Sequence, residues 1–288
     1  MKALPLSHFD DPAPAGSSST VRPKSSSGEP AYNGRMASAE RLARWMRERV
    51  HSAGARGLAI GLSGGVDSAV VARLAQLAAP GAVLGVPLPC RSDPQDEQDA
   101  LRVAQHFSLP TLRCDLSAAY DALVSAVQPA VEQVRGPRAG PPVDPVRCRT
   151  VRGNTKPRLR MTALYYVASS LNYLVAGAGN RSELAIGYFT KWGDGGVDLL
   201  PLGRLMKSQV RALAQELRVP REILDRLPSA GLWVGQRDED EMGFTYAELE
   251  RYLAEGPMGV APALAMKIER LVRSSEHKRE MPPAPDFD

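Results

Sequence analysis

The chain has 288 residues, is 43% hydrophobic and carries a net charge of +4 with a pI near 9.0, which is enough apolar material for one large α/β domain, or one domain with a helical appendage. No run approaches the ~18 apolar residues of a membrane-crossing helix, and the first nine residues lack the apolar core of a secretion signal. Three scattered cysteines, Cys90, Cys114 and Cys148, form no Cys-x-x-Cys pair, which argues against zinc and for a reducing cytoplasmic setting, while the dispersed arginines suit a small polyanion better than nucleic acid.

Residues 1–34 are rich in Pro, Ser and Gly, with too few large apolar groups to offset ordering entropy, and are expected to be a disordered tail ahead of a folded domain over 35–288. Ser38 is the expected cap of a first helix that buries Leu42, Trp45, Met46 and Val50 and leaves Arg41, Arg44, Arg47 and Arg49 to solvent. Gly57-Leu58-Ala59-Ile60-Gly61-Leu62 reads as a buried strand, and from Val66 the apolar residues Ala69, Val70, Leu74 and Leu77 recur at helical spacing. Ser63-Gly64-Gly65-Val66-Asp67-Ser68 therefore occupies a strand-to-helix turn. Glycine there permits positive φ and close approach of a ligand, and the N–H groups of the first helical turn point at whatever anion docks. Asp67 would repel bound phosphate, so the sequence predicts a Mg²⁺ ion between them. The loop has no lysine, which excludes the Walker pattern, and its glycine spacing excludes the Rossmann fingerprint.

A second strand follows at 82–88, then a helix over 93–108, a third strand at 111–115 and a helix with Tyr120, Leu123, Val124 and Val127 on one side. This alternation predicts an α/β fold, a Rossmann-like parallel sheet flanked by helices, with ligands at the carboxyl ends of the strands. Residues 135–152, dense in Pro, Gly and Arg, are expected to be a loop suited to a substrate lid. A helix over 154–171 places Met161, Leu164, Tyr165 and Ala168 on one face, and a strand over 173–176 runs into a second glycine-rich turn, Gly177-Ala178-Gly179-Asn180-Arg181-Ser182-Glu183. Glu183 is the second carboxylate expected beside a metal. The run from Gly187 to Asp198 combines Lys191, two aspartates, aromatics and glycines in a way that a purely structural loop has no evident need for. Beyond it lie a helix over 207–217, a loop Pro228-Ser229-Ala230-Gly231-Leu232-Trp233 with ligand-binding composition, and Asp238-Glu239-Asp240-Glu241, read as a solvated acidic run rather than a cap for the helix of Tyr246. A last helix with Leu264, Ile268, Leu271 and Val272 ends in Glu276-His277-Lys278-Arg279.

The hexapeptide 63–68 alone resembles the pyrophosphate loop of the ATP-pyrophosphatase superfamily. Joined with Asn154-x-x-x-Arg158-x-Arg160-Met161, Gly177-x-Gly179-Asn180-x-Ser182-Glu183, the run from Phe189 to Asp198 and the terminal Glu-His-Lys-Arg, it resembles the NAD⁺ synthetase family over about 37–287. The resemblance implies ATP-dependent amidation of deamido-NAD⁺ (nicotinic acid adenine dinucleotide) through an adenylated carboxylate, by a homodimer. It implies that Gly61, Leu62, Ser63, Gly64, Gly65, Val66, Asp67 and Ser68 form the ATP loop, joined by Ala178, Lys207 and Ser229, and that Asp67 and Glu183 hold Mg²⁺. Asp67, Glu183 and Lys207 are then the groups expected to act in catalysis. Arg158, Lys191, Asp198, His277 and Lys278 match positions that hold deamido-NAD⁺. Many relatives have threonine where this chain has Ala178, so a backbone contact survives there and a hydroxyl contact does not.

The chemistry agrees, because the substrate carboxylate is itself the nucleophile and no serine or cysteine is needed. Other readings stay open: a different adenylating enzyme of the superfamily, such as a tRNA-modifying one, or a nucleotide-sensing module without chemistry. Free ammonia is the expected nitrogen donor, since about 34 residues ahead of the first helix leave no room for an amidase domain with its own nucleophile. A separate glutaminase acting in trans would be compatible.

Overall fold

The computed structural model describes residues 39–135 and 144–285. The expected tail and its Ser38 cap lie outside these residues, as does part of the expected 135–152 loop. The chain begins with α1 (Ala39–Ser52), then β1 (Gly57–Leu62), α2 (Val66–Ala78), β2 (Val83–Pro87), α3 (Pro94–His106), α4 (Ser117–Arg135), α5 (Pro145–Leu171), β3 (Tyr173–Val175) and α6 (Arg181–Ile186). It continues through α7 (Lys207–Glu216), α8 (Arg221–Leu224), α9 (Asp238–Met242), α10 (Tyr246–Glu255) and α11 (Pro262–Ser274), with a short turn of 3₁₀ helix at Glu276–Lys278. None of the described helices is long and apolar enough to cross a membrane.

The sheet is parallel, in the order β2-β1-β3, with Leu58 paired to Val83 on one side and Leu174 on the other. Parallel bridges extend it outward, Gly85 to Thr111 on one flank and Ala176 to Leu199 on the other. The expected third strand is thus only a bridge: residues 111–116 run beside β2, with Leu112 and Cys114 donating to the Gly85 and Pro87 carbonyls, but nothing pairs with their outer edge among the described residues. From β1 the chain steps outward through β2 and then returns to the other side of β1. That reversal sets a topological switch point between the carboxyl ends of β1 and β3, where open α/β sheets bind ligands.

Two apolar layers sandwich the sheet. On one face, β1 packs with α2, α1 and α7 through Leu58, Ile60, Val70, Leu74 and Leu213; on the other, Ala59 and Val86 meet Leu164 and Ala168 of α5. A third cluster joins α6, α10 and α11 around Leu249 and Ile268. In α1 the buried residues are Ala39, Ala43, Met46 and Val50, whereas Trp45 is exposed, correcting the expected face. The small alanines let α1 approach α2 more closely than a tryptophan would. Arg47 is not merely solvated, since it donates to the carbonyls of Leu77 and Ala78 at the end of α2. Leu123 and Val127 of α4 are exposed.

The largest departure is α5, which spans 27 residues and starts at Pro145, inside the expected loop. Asp144 caps it by accepting from the Val146 N–H at 3.0 Å, and Pro145 sits at the first helical position, where its missing N–H costs nothing. Pro157 then falls in mid-helix instead of in a first turn.

Candidate active site

The turn after β1 is shaped by its own hydroxyls. Ser68 donates to the Gly65 carbonyl at 2.9 Å and lies 3.1 Å from the Ser63 hydroxyl, which in turn accepts from the Gly65 N–H. Gly65 precedes α2 and offers no side chain to cap it, so the first-turn N–H groups face the cavity. Gly64 must be glycine on two counts: its φ is +77°, and a Cβ would lie 2.5 Å from the Asp96 carbonyl oxygen at the start of α3.

The loop after β3 lies alongside, because β3 is the neighbour of β1. Asn180 and Glu183 form a reciprocal cap on α6, Asn180 Oδ1 accepting from the Glu183 N–H at 3.1 Å and Glu183 Oε2 from the Asn180 N–H at 3.3 Å. One oxygen of Glu183 thus builds the helix start. The other faces Lys207 Nζ at 3.3 Å. Lys207 also pairs with Asp67, whose other oxygen accepts from Asn180 Nδ2 at 3.3 Å. Lys207 is 4% exposed and opens α7, a helix end where the macrodipole disfavours a cation, so the two carboxylates are what hold it there. Burial opposes its charge, but Asp67 and Glu183 together raise the ammonium above the ordinary lysine range. Burial pushes the Glu183 carboxyl well above the usual carboxylate range, Lys207 offsets this only in part, and Asp67 and Asp238 add to it. The two carboxylates are thus each paired with one buried ammonium.

These groups open on a cavity of about 530 Å³. Gly61, Leu62, Ser63, Gly65, Val66, Asp67, Ser68, Ala178, Glu183, Lys207, Ser229 and Lys278 all line it, so the expected ATP residues converge, with Gly64 behind the wall. The expected dinucleotide residues do not converge in the same way. Lys278 reaches the cavity edge but donates to the carbonyls of Gly187 and Phe189 at 2.7 and 2.9 Å. Arg158 donates to the Lys191 carbonyl at 3.2 Å, and Lys191 Nζ to the His277 carbonyl, so these three form one group outside the cavity. Asp194 accepts from the Thr190 N–H, and no ion pair between it and Lys191 is found among the described residues. Asp198 lies apart, accepting from Tyr165 Oη at 2.9 Å and from the Val175 N–H at 2.8 Å.

Sequence reasoning passed over several groups. Asp238, expected to be solvated, is 3% exposed and lines the cavity, accepting from Tyr188 Oη at 3.1 Å and Tyr246 Oη at 2.9 Å. Glu241 accepts from Tyr188 Oη at 2.6 Å, and Glu239 from the N–H of Tyr246 at 2.9 Å. The available signal was the pair of tyrosines, which need acceptors when buried. Arg226 closes another side, pairing with Asp96 and with Asp99 at 2.9 Å.

The NAD synthase family profile matches residues 38–282. The chain belongs to the NAD synthase family. It is 50% identical over 246 residues to the NH(3)-dependent NAD(+) synthetase of Carboxydothermus hydrogenoformans, covering 85% of this chain and 96% of that relative. Among solved structures, the NMN synthetase from Francisella tularensis superposes with a TM-score of 0.76 at 37% identity, covering 86% of this chain and 97% of the other. The NAD⁺ synthetase from Burkholderia pseudomallei gives a TM-score of 0.67 at 32% identity, over 85% and 89% of the two chains. These likenesses agree with the parallel sheet read from the sequence.

Proposed function

We propose that this chain is an ammonia-dependent NAD⁺ synthetase that converts deamido-NAD⁺ to NAD⁺ with consumption of ATP. The observation that carries the reading is the meeting of Asp67 and Glu183 on Lys207 beside an uncapped, glycine-led helix start, at the switch point of the sheet. The likeness to an ammonia-dependent synthetase over 85% of the chain supports it.

The cradle of N–H groups before and within the first turn of α2 binds the ATP phosphates. Lys207 exchanges a carboxylate for a phosphate oxygen as negative charge grows at the α-phosphorus. The nicotinate carboxylate attacks that phosphorus, the bond to pyrophosphate breaks, and a carboxyl adenylate results. Ammonia then attacks the carbonyl carbon and loses a proton, and AMP departs with the oxygen that joined it to the substrate. Nothing in this sequence needs a side-chain nucleophile, so catalysis rests on orientation and charge neutralisation.

Mg²⁺ fits the donor set. It takes one or two carboxylates and completes its shell with water and substrate phosphates, and Asp67 and Glu183 are two such carboxylates, with no cluster of three or more His, Cys, Asp or Glu suited to a metal among the described residues. When bound, it would neutralise phosphate charge and polarise the phosphoryl group. Arg158, Lys191, Asp198, His277 and Lys278 are assigned to deamido-NAD⁺, Gly61 to Ser68 with Ala178, Lys207 and Ser229 to ATP. A cytoplasmic homodimer using free ammonia completes the reading, and the unbridged thiols of Cys90 and Cys114 suit that compartment.

One finding favours a second reading: the structural relative at 37% identity is an NMN synthetase, so the amidated substrate is alternatively the nicotinate mononucleotide. Purified protein supplied with ATP, Mg²⁺, ammonium and each substrate in turn separates the two. Faster formation of NAD⁺ than of NMN supports the dinucleotide; the reverse supports the mononucleotide, and neither product would overturn the amidation.

A further inference from the structure

A second buried lysine lies between two walls of the cavity. Lys156, in α5, is 7% exposed. Its Nζ donates to the Arg91 carbonyl at 2.8 Å and to the Leu232 carbonyl at 2.6 Å, and it lies 5.7 Å from the centre of the Tyr120 ring. It has no carboxylate partner among the described residues, and burial holds its pKa below the ordinary lysine value, with Arg160 one turn away adding to the effect. A buried ammonium satisfied only by neutral dipoles is costly to keep.

The two carbonyls belong to different walls. Arg91, at φ +48°, lies in the β2–α3 connection, whose Leu88, Pro89 and Ser92 face the cavity, as does Asp96 in the first turn of α3; Leu232 lies in the 225–237 loop, whose Ser229, Gly231 and Gln236 face it from the other side. The Asp96 carbonyl at the end of the first wall is what Gly64 of the phosphate cradle packs against. Arg149 stacks over Trp233 at 4.7 Å, so α5 grips the second wall at two points.

We propose that Lys156 is a positioning residue for ATP, joining the two walls through their carbonyls so that the phosphate cradle and the 225–237 loop stand at the right separation. This rests on reading the cavity as the ATP site. An ammonium with three rotatable donors can reach two carbonyls on loops of different direction, which no apolar residue can do.

Lys156→Met keeps the aliphatic stem and removes the donors, whereas Lys156→Arg keeps cationic donors. The Met variant should raise KM for ATP by about tenfold or more, as expected when two buried carbonyls lose their partners, with kcat changed much less and KM for ammonium unchanged. Trypsin should cut after Arg237 faster in the Met variant than in wild type, with saturating ATP narrowing the difference. The Arg variant should stay within about threefold of wild type in KM for ATP, since it keeps a charge-assisted donor. Wild-type KM and cleavage rate in the Met variant would overturn the proposal, as would a loss in the Arg variant equal to that in the Met variant. Should Lys156→Met fail to fold, the Arg variant decides alone. Calorimetric titration of wild type with ATP separates the two layers: no ATP binding refutes the ATP site, while the cleavage rates still test whether Lys156 joins the walls.

Discussion

Lys207 and Lys156 are both buried lysines beside one cavity, 4% and 7% exposed, yet they are held in opposite ways. Lys207 sits between two carboxylates, Asp67 and Glu183, from the first turns of the helices that follow adjacent strands. Lys156 meets only two carbonyls and a ring. A charge matched by charge can trade partners when a polyanion arrives, because substrate phosphates replace what the carboxylates gave. A charge matched by dipoles has nothing to trade and acts as a tie. In the proposed reading, the difference separates the groups that meet the reaction from those that hold its walls.

The largest combined effect on rate and stability that could break this contrast is at Lys207. Lys207→Met should cost about 10³-fold in kcat, the upper range for losing one preorganised donor, and about 3–5 kcal/mol of stability, because Asp67 and Glu183 are left facing each other unpaired. Steady-state rates and urea unfolding check both figures, and a variant that loses activity without losing stability would mean the pair is not bridged in solution. Next come Asp67→Asn and Glu183→Gln, each expected to abolish turnover at ordinary Mg²⁺ while leaving the fold intact. Glutamine can still accept from the Asn180 N–H, so the α6 cap survives and a lost activity reports the cavity-facing oxygen alone. Near wild-type rates in either variant would remove that carboxylate from the mechanism.

Gly64→Ala should cost about 1–3 kcal/mol for a side chain at positive φ and weaken ATP binding, because the new Cβ meets the Asp96 carbonyl. Unchanged nucleotide affinity by calorimetry would detach the cradle from α3. Lys191→Ala should weaken deamido-NAD⁺ several-fold more than ATP; equal losses would mean that Lys191 serves only to tie the His277 carbonyl. The smallest effect concerns pH. The folded Glu183 carboxyl is pushed up to about 7, so its proton is held more tightly folded than unfolded. Its stabilising share is present at acid pH and fades as pH rises from the ordinary glutamate range through 7. Melting temperatures of wild type should therefore fall relative to Glu183→Gln over that window, and a constant difference would contradict the raised value.

The half of the site that is local in sequence was legible. Strand, glycine turn and helix are adjacent in the chain over 57–78, and the same grammar repeats over 173–186, so Asp67 and Glu183 could be named before their strands were known to be neighbours. What was not legible depends on distant packing. Asp238 looks like part of a solvated run until Tyr188 and Tyr246 are folded over it. The long α5 reads in the sequence only from Asn154, with Pro157 in its first turn, although Asp144 and Pro145 begin it nine residues earlier. Lys156 gave no signal at all, since a lysine before proline looks ordinary until two carbonyls from residues 65 and 76 positions away converge on it.

The central claim is that the substrate carboxylate, and no side chain, attacks the α-phosphorus of ATP. Deamido-NAD⁺ carrying ¹⁸O in its nicotinate carboxylate, turned over with ATP, Mg²⁺ and ammonium and analysed by mass spectrometry, tests it most directly. The mechanism predicts one ¹⁸O in AMP and none in pyrophosphate; unlabelled AMP, or ADP and phosphate in place of AMP and pyrophosphate, would contradict it.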